Sequence, residues 1–131
     1  MLDQKMNRTV FPTAAQRGVG IFVRSAYLRG LLTGQVHSAP ERLARLKRNG
    51  LQALALLQVE VDSLAEAALR FCLSLQAISS VVIGVKSVAE LEANLADASR
   101  GPLPEEQMSQ LKELSLEDDP LVDTRNWQDI I

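Results

Sequence analysis

The chain has 131 residues, of which 47% are hydrophobic and only 4% are aromatic. Fourteen basic and sixteen acidic residues give a formal net charge of −2, which argues against a nucleic-acid-binding or membrane-surface protein, since these normally carry a basic excess. The length fits one modest domain, and the single cysteine, Cys72, should be a small buried residue in a reducing compartment. Without a bilayer-length apolar run or a signal-peptide pattern, we expect a cytoplasmic protein.

The N-terminal part of the chain predicts a helix and then a strand. The helix is expected over residues 9–17, with Pro12 in its first turn and Gly18 just after its end. Residues 19–23 are apolar and predict a buried strand. The following segment, 24–34, mixes arginines, a serine and two glycines with leucines where this strand should end.

A helical region is predicted next, over residues 38–75. Ser38 and Glu41 match a capping box, which favours a helix that starts there and continues to residue 58. A second helix should be capped by Asp62 or Ser63. Its buried face consists of residues spaced along one side of a helix, namely Leu64, Ala68, Phe71, Cys72 and Leu75.

Residues 79–95 form the stretch with the clearest chemical signal. Residues 80–83 form a short apolar run rich in β-branched residues, which predicts a buried strand, and Gly84 should allow a sharp turn. Ser87 and Glu90 form a capping box, so a helix should begin there with Val88, Leu91 and Leu95 on one apolar face. Free N–H groups at that helix N-terminus, together with the charge of Lys86, favour a bound anion such as a phosphate.

The remaining residues predict one more helix and a docked tail. Residues 100–104 should break the preceding helix, and Pro104 suits the first turn of a helix that carries Met108, Leu111 and Leu114. A terminal segment with Trp127, Ile130 and Ile131 is expected to pack onto the domain.

The two predicted strands are separated by a long helical crossover. Such strands are expected to be parallel neighbours, which is typical of an α/β fold. Two parallel strands alone would leave both outer edges unpaired. The sequence therefore predicts part of a larger sheet.

Several motifs, in a consistent order along the chain, resemble the aldo/keto reductase family. Residues 1–4 (MLDQ) resemble the end of its sixth strand, and 24–32 (RSAYLRGLL) resemble the segment after its seventh strand. Residues 67–74 (AALRFCLS) and 79–94 resemble the helix, eighth strand and closing helix, and 101–106 (GPLPEE) resemble the continuation.

The resemblance implies the C-terminal part of a (β/α)8 TIM barrel, about two βα units plus C-terminal helices and mostly helical. Sites in such barrels lie at the carboxyl ends of the strands. The implied divisions are the end of strand six and a helix (1–18), strand seven and its loop (19–34), helices (38–75), strand eight and its helix (79–97), and a C-terminal helix and tail (103–131).

The resemblance also implies binding of NADP(H) or NAD(H). The family loop after strand seven lies along the cofactor pyrophosphate, and Ser25, Tyr27 and Gly30 fall on those positions with Arg29 beside them. The segment after strand eight holds the adenosine and its 2′-phosphate. Its backbone contacts fall on Ile83, Gly84 and Val85, and its side-chain contacts on Lys86, Ser87, Glu90 and Asn94.

Two departures from the family pattern affect the expected nucleotide. Glu90 replaces a usual Gln or Arg, and a carboxylate repels a 2′-phosphate but accepts hydrogen bonds from a ribose diol. Lys86 favours the 2′-phosphate, so both NADP and NAD are candidate ligands. Ala93 replaces a usual Glu and removes one adenine contact.

The family's catalytic tetrad of Asp, Tyr, Lys and His has no counterpart here. Tyr27, the only tyrosine, falls on a cofactor position, and His37, the only histidine, matches no tetrad motif and is interpreted as a solvated loop residue. We expect no catalytic residue and no metal site.

These patterns leave three hypotheses open. The first is the cofactor-binding C-terminal portion of an aldo/keto reductase, inactive alone. The second is a non-catalytic interaction module that pairs its strand edges with a second copy or with a separate N-terminal half-barrel. The third is a non-functional remnant.

Overall fold

The computed structural model describes residues 1–128 and 130. In this part of the chain the helices are α1 (Met6–Thr9), α2 (Phe11–Gln16), α3 (Ala44–Leu56), α4 (Leu64–Leu73), α5 (Val88–Ser99) and α6 (Glu105–Lys112). The strands are β1 (Phe22–Arg24) and β2 (Ser80–Val82). Single 3-10 turns cover Leu28–Gly30, Gly34–Ser38, Glu41–Leu43, Pro120–Val122 and Thr124–Trp127.

The sheet has the predicted topology. In the described residues β1 and β2 pair in parallel, with Phe22 opposite Ser80 and Arg24 opposite Val82. Helices α3 and α4 connect the two strands, as expected for a helical crossover. Because the strands are parallel and in this register, their carboxyl ends lie side by side.

The prediction that both strands are buried is wrong for one face of the sheet. Val23 and Val81 pack on the core, but Phe22 and Val82 on the opposite face are 75% and 53% exposed. Continuous apolar strands are typical of parallel sheets covered on both faces. The helices described here cover one face only.

The predicted start of the helix at Ser38 is also wrong. Ser38 ends a 3-10 turn and its hydroxyl donates to the carbonyl of Gln35 at 3.0 Å. Ala39 is extended, with ψ of 138°, because a residue before proline avoids the helical region, and Pro40 is extended as well, with ψ of 150°. Helix α3 therefore begins only at Ala44.

Helix α3 then continues through Gly50 to Leu56, as the sequence predicts. A Cβ at Gly50 would lie 3.0 Å from Cδ2 of Leu32, so the missing side chain lets the 24–34 segment approach the helix closely. The loss of helix propensity at a glycine, about 1 kcal/mol, is offset by this packing.

The core is built largely of leucine, and it includes the predicted residues Leu64, Ala68, Phe71 and Cys72. Leu75 also packs on the core but lies beyond the end of α4. Trp127 is 0% exposed and its Nε1 donates to the carbonyl of Leu121 at 2.8 Å. The prediction of a docked tail is thus confirmed up to Ile130, which packs on the core; Ile131 lies outside the described residues.

A buried ion cluster holds the start of α4. Ser63, and not Asp62, is the cap, since its Oγ accepts the N–H of Glu66 at 3.0 Å. The Glu66 carboxylate is 2.8 Å from Nη1 of Arg70, and both residues are almost fully buried. Arg70 also donates to the Gly101 carbonyl at 2.8 Å, which ties α4 to the chain after α5.

Candidate functional site

The carboxyl ends of β1 and β2 bring together the two segments that the sequence singled out. Arg24 and Val82 are paired in the sheet, so Ser25 and Ile83 begin their loops next to each other. Ser25 is exposed. The side chain of Ile83 is partly buried and packs on the core.

The loop after β1 has a strained backbone. Ser25, Leu28 and Arg29 have φ angles of 61°, 44° and 53°, in the left-handed region that side chains usually avoid. Gly30 follows with φ of 94°, and a Cβ there would lie 3.0 Å from Oε1 of Gln35. A strained backbone conformation persists only where the surrounding structure enforces it. Residues of this kind cluster at functional sites.

A side-chain hydrogen bond joins this loop to helix α5. The Tyr27 hydroxyl donates to Oδ1 of Asn94 at 2.7 Å, and both residues are half-buried. Burial, with smaller effects of the charges on Asp97 and Cys72, raises the pKa of Tyr27 to about 12. The phenol therefore stays protonated and remains a hydrogen-bond donor at neutral pH.

The N-terminus of α5 is capped by two of its own side chains. The Ser87 hydroxyl accepts the N–H of Glu90 at 3.1 Å, which confirms the predicted capping box. The Glu90 carboxylate accepts the N–H of Lys86 at 2.7 Å. One of the N–H groups expected to bind a phosphate is thus already bound to Glu90.

The expected glycine turn at Gly84 is not observed. Gly84 does not adopt a positive φ angle, so its backbone conformation is open to other residues. A Cβ at this position would have no described atom within 4 Å, which leaves open space beside the strand end. Val85 and Lys86, which follow, are exposed.

The residues present fit a dinucleotide by their chemistry. The Ser25 hydroxyl and the Arg29 and Lys86 cations suit phosphates, while the Asn94 amide and the Glu90 carboxylate suit a base and a ribose diol. Ser25 and Arg29 belong to the loop after β1, and Lys86, Glu90 and Asn94 belong to the turn and helix after β2. The two segments meet at the carboxyl ends of the strands. Glu90 is the one member whose charge opposes a 2′-phosphate.

A cleft of about 620 Å³ opens beside Ser25 and is lined also by Arg24 and by parts of the N-terminal and C-terminal segments, but its lining residues include none from 79–95. Arg24 lies at the carboxyl end of β1, on the sheet face away from the core. Arg24 is not among the residues that the family resemblance assigns to the cofactor. Its position at a strand end was the available signal, because that is where barrel sites lie.

Other candidate chemistry finds little support in the residues that the structure describes. Among them, no group of three or more His, Cys, Asp or Glu side chains is arranged to hold a metal ion. His37 is exposed, and its carbonyl accepts a hydrogen bond from Nζ of Lys47 at 2.9 Å. None of the helices described has both the length and the apolar character needed to cross a bilayer.

Parallel strands joined by helices, with loops at their carboxyl ends, form a βαβ unit of the kind from which (β/α)8 barrels are built. The model of the aldo/keto reductase family matches residues 1–116, and the chain belongs to this family. A comparison with curated proteins finds no match.

Two solved structures are similar to the chain. Aldo-keto reductase AKR11C1 from Bacillus halodurans in its holo form is 27% identical with a TM-score of 0.67, and the match covers 88% of this chain and 40% of that one. The apo form is 26% identical with a TM-score of 0.66, over 88% and 41% of the two chains. The chain thus spans less than half the length of these solved relatives.

Proposed function

We propose that this chain binds the phosphate and adenosine parts of NADP(H), with NAD(H) as the alternative ligand. The observation that carries the proposal is the hydrogen bond between Tyr27 and Asn94, because it joins the loop after β1 to the helix after β2. The pyrophosphate would lie along the first loop, at Ser25, Tyr27, Arg29 and Gly30. The adenosine would lie against Ile83, Gly84, Val85, Lys86, Ser87, Glu90 and Asn94.

The family and its holo-form relative support a nicotinamide cofactor as the ligand class. When bound, this cofactor would supply a hydride for carbonyl reduction. The chain's own residues would bind and orient it. Lys86 attracts a 2′-phosphate and Glu90 opposes it, so their balance sets the preference between the two nucleotides.

The chain alone is proposed to be catalytically silent. Proton donation to a carbonyl by tyrosine needs a phenol whose pKa is lowered toward the working pH. Tyr27 is the only tyrosine, its hydroxyl is bound to Asn94, and its pKa is raised to about 12. The purified chain should therefore show no carbonyl-dependent oxidation of NADPH, and saturable turnover would contradict this.

The binding proposal is tested by titrating NADPH and NADH while following nicotinamide fluorescence. Wild type should bind NADPH saturably, and Lys86→Gln should weaken NADPH binding more than NADH binding. Lys112→Gln, which removes the same charge from α6, is the matched control and should bind as wild type does. Absence of saturable binding of either nucleotide to wild type would overturn the proposal.

A second candidate function, an interaction module, is favoured by exposed apolar side chains. Val88, Leu91 and Leu95 form the predicted apolar face of α5, but they are 72%, 43% and 62% exposed. Phe22 and Val82 are exposed on the open face of the sheet. Apolar surface of this kind marks interaction sites when it is contiguous.

The interaction module predicts a dimer or a complex with a separate N-terminal half-barrel. Light scattering should show association of wild type, and the double substitution Leu91→Lys with Leu95→Lys should reduce it. A compact wild-type monomer that stays monomeric as concentration rises would count against self-association. The cytoplasmic location expected from the sequence stays a prediction.

A further inference from the structure

We infer that Tyr27 is a positioning residue that fixes the orientation of the Asn94 side-chain amide, so that its NH2 group is the part offered to a bound adenine nucleotide. This inference rests on the proposed function and refines it. Asn94 acts on the adenine directly, whereas the Tyr27 hydroxyl acts through Asn94; the proposed place of Tyr27 in the pyrophosphate loop does not involve this hydroxyl.

The first step of the argument is that Tyr27 is itself held in place. Its carbonyl accepts the N–H of Gly30 at 2.9 Å and that of Leu32 at 3.0 Å, so the backbone that follows Tyr27 is fixed to it. Its ring packs against the hydrophobic core. The phenol hydroxyl is therefore presented to α5 from a rigid position.

The second step is the orientation of the Asn94 amide in the structure. An asparagine amide rotated by 180° exchanges an acceptor for a donor at nearly the same place. The Tyr27 hydroxyl donates to Oδ1 of Asn94 at 2.7 Å, which places the amide oxygen toward the loop. Among residues 1–128 and 130, the NH2 group of Asn94 has no hydrogen-bond partner.

The third step is the chemistry of the ligand. The ring nitrogens of adenine accept hydrogen bonds, and an asparagine NH2 group is a suitable donor for them. The Tyr27 phenol stays neutral across the ordinary pH range, since its pKa is raised to about 12. A neutral phenol keeps its proton, so the hydroxyl can donate to Oδ1 of Asn94 over that pH range.

The test measures the affinity of NADPH and of adenosine diphosphate by calorimetry for wild type, Tyr27→Phe, Asn94→Ala and the double variant. Tyr27→Phe keeps the ring and should weaken both ligands about fivefold, the effect of one lost hydrogen bond of roughly 1 kcal/mol. In the Asn94→Ala background the same change should have no further effect. Additive losses would overturn the inference, because Tyr27 would not then act through Asn94.

A further variant, Asn94→Asp, separates orientation from packing. An aspartate still accepts the hydrogen bond of Tyr27 but has no NH2 group to donate. The Asn94→Asp variant should bind both ligands as weakly as Asn94→Ala does. In the same variant, the midpoint of the Tyr27 absorbance titration should stay above the ordinary tyrosine value. Wild-type affinity in Asn94→Asp or in Tyr27→Phe would overturn the inference and leave the proposed function standing, whereas failure of wild type to bind any nucleotide would overturn both.

Discussion

The hydroxyl of Tyr27 and the amide oxygen of Asn94 lie 2.7 Å apart, although 67 positions separate the two residues in the chain. The bond connects the two segments for which the sequence predicted ligand contacts. It connects a strained loop to a helix whose N-terminus is already capped. The loop and α5 are therefore expected to respond together to substitutions at either residue.

The first prediction concerns the titration of Tyr27. Burial raises its pKa from 10.0 to about 12, so the protonated phenol is favoured in the folded state. Its contribution to stability is complete below pH 10 and is lost as the pH rises through about 12. Absorbance at tyrosinate wavelengths reports this residue alone, since the chain has one tyrosine.

Asp97→Asn is the informative variant for this titration. The charge of Asp97 is the second cause of the raised pKa of Tyr27, after burial, so its removal should lower the midpoint. Glu92→Gln removes an exposed charge from the same helix and should leave the midpoint unchanged. A wild-type midpoint near 10 would contradict the prediction.

The second prediction concerns Glu90 and the choice of nucleotide. Glu90→Gln removes a negative charge but keeps an oxygen that can accept the N–H of Lys86, so the cap of α5 should survive. NADPH affinity should rise about tenfold, or 1.4 kcal/mol, with a smaller change for NADH. Competition titrations measure the ratio of NADPH affinity to NADH affinity, and Glu92→Gln is the charge-matched control. Equal changes in NADPH and NADH affinity in Glu90→Gln would refute the role of Glu90.

The third prediction concerns the buried ion cluster of α4. Glu66→Ala leaves the Arg70 cation buried without its carboxylate, and breaking such pairs costs about 3–5 kcal/mol. Urea unfolding should show this loss. Glu92→Ala, at an exposed position of α5, should change the free energy of unfolding by less than about 0.5 kcal/mol. Similar losses in the two variants would argue against a stabilising cluster.

The fourth prediction sets stability against binding at Arg29. Arg29 has a φ of 53°, in the left-handed region. Arg29→Gly should therefore relieve backbone strain and raise the free energy of unfolding by about 1 kcal/mol. The same variant should bind nucleotide more weakly, because it removes a cation from the proposed pyrophosphate loop. Arg24→Gly lies in β1 and should lower stability, so the gain must be specific to Arg29.

Capping residues in the sequence correctly predicted the starts of two helices, in which a serine side chain accepts a hydrogen bond from the first turn. Ser63 and Ser87 both cap their helices, and each accepts the N–H of the glutamate three positions later. The parallel pairing of the strands also follows from the sequence, because a long helical connection rarely joins antiparallel neighbours.

Features that depend on distant contacts could not be predicted from the sequence. The late start of α3 is an exception with a local cause: Ser38 has the same capping pattern as Ser87, but Pro40 keeps Ala39 extended. The apolar residues Phe22 and Leu95 match a buried pattern, and only the structure shows that neither side chain is covered. The bond between Tyr27 and Asn94 has no sequence signal, because its partners come from different elements.

The docked position of Trp127 gives the chain a built-in optical reporter. It is the only tryptophan, it is fully enclosed, and its indole N–H is bound to the Leu121 carbonyl. Its emission should therefore shift to longer wavelength when the C-terminal tail detaches. Because reduced nicotinamide absorbs in the range where tryptophan emits, quenching of this one residue would also report a bound dinucleotide without any added label.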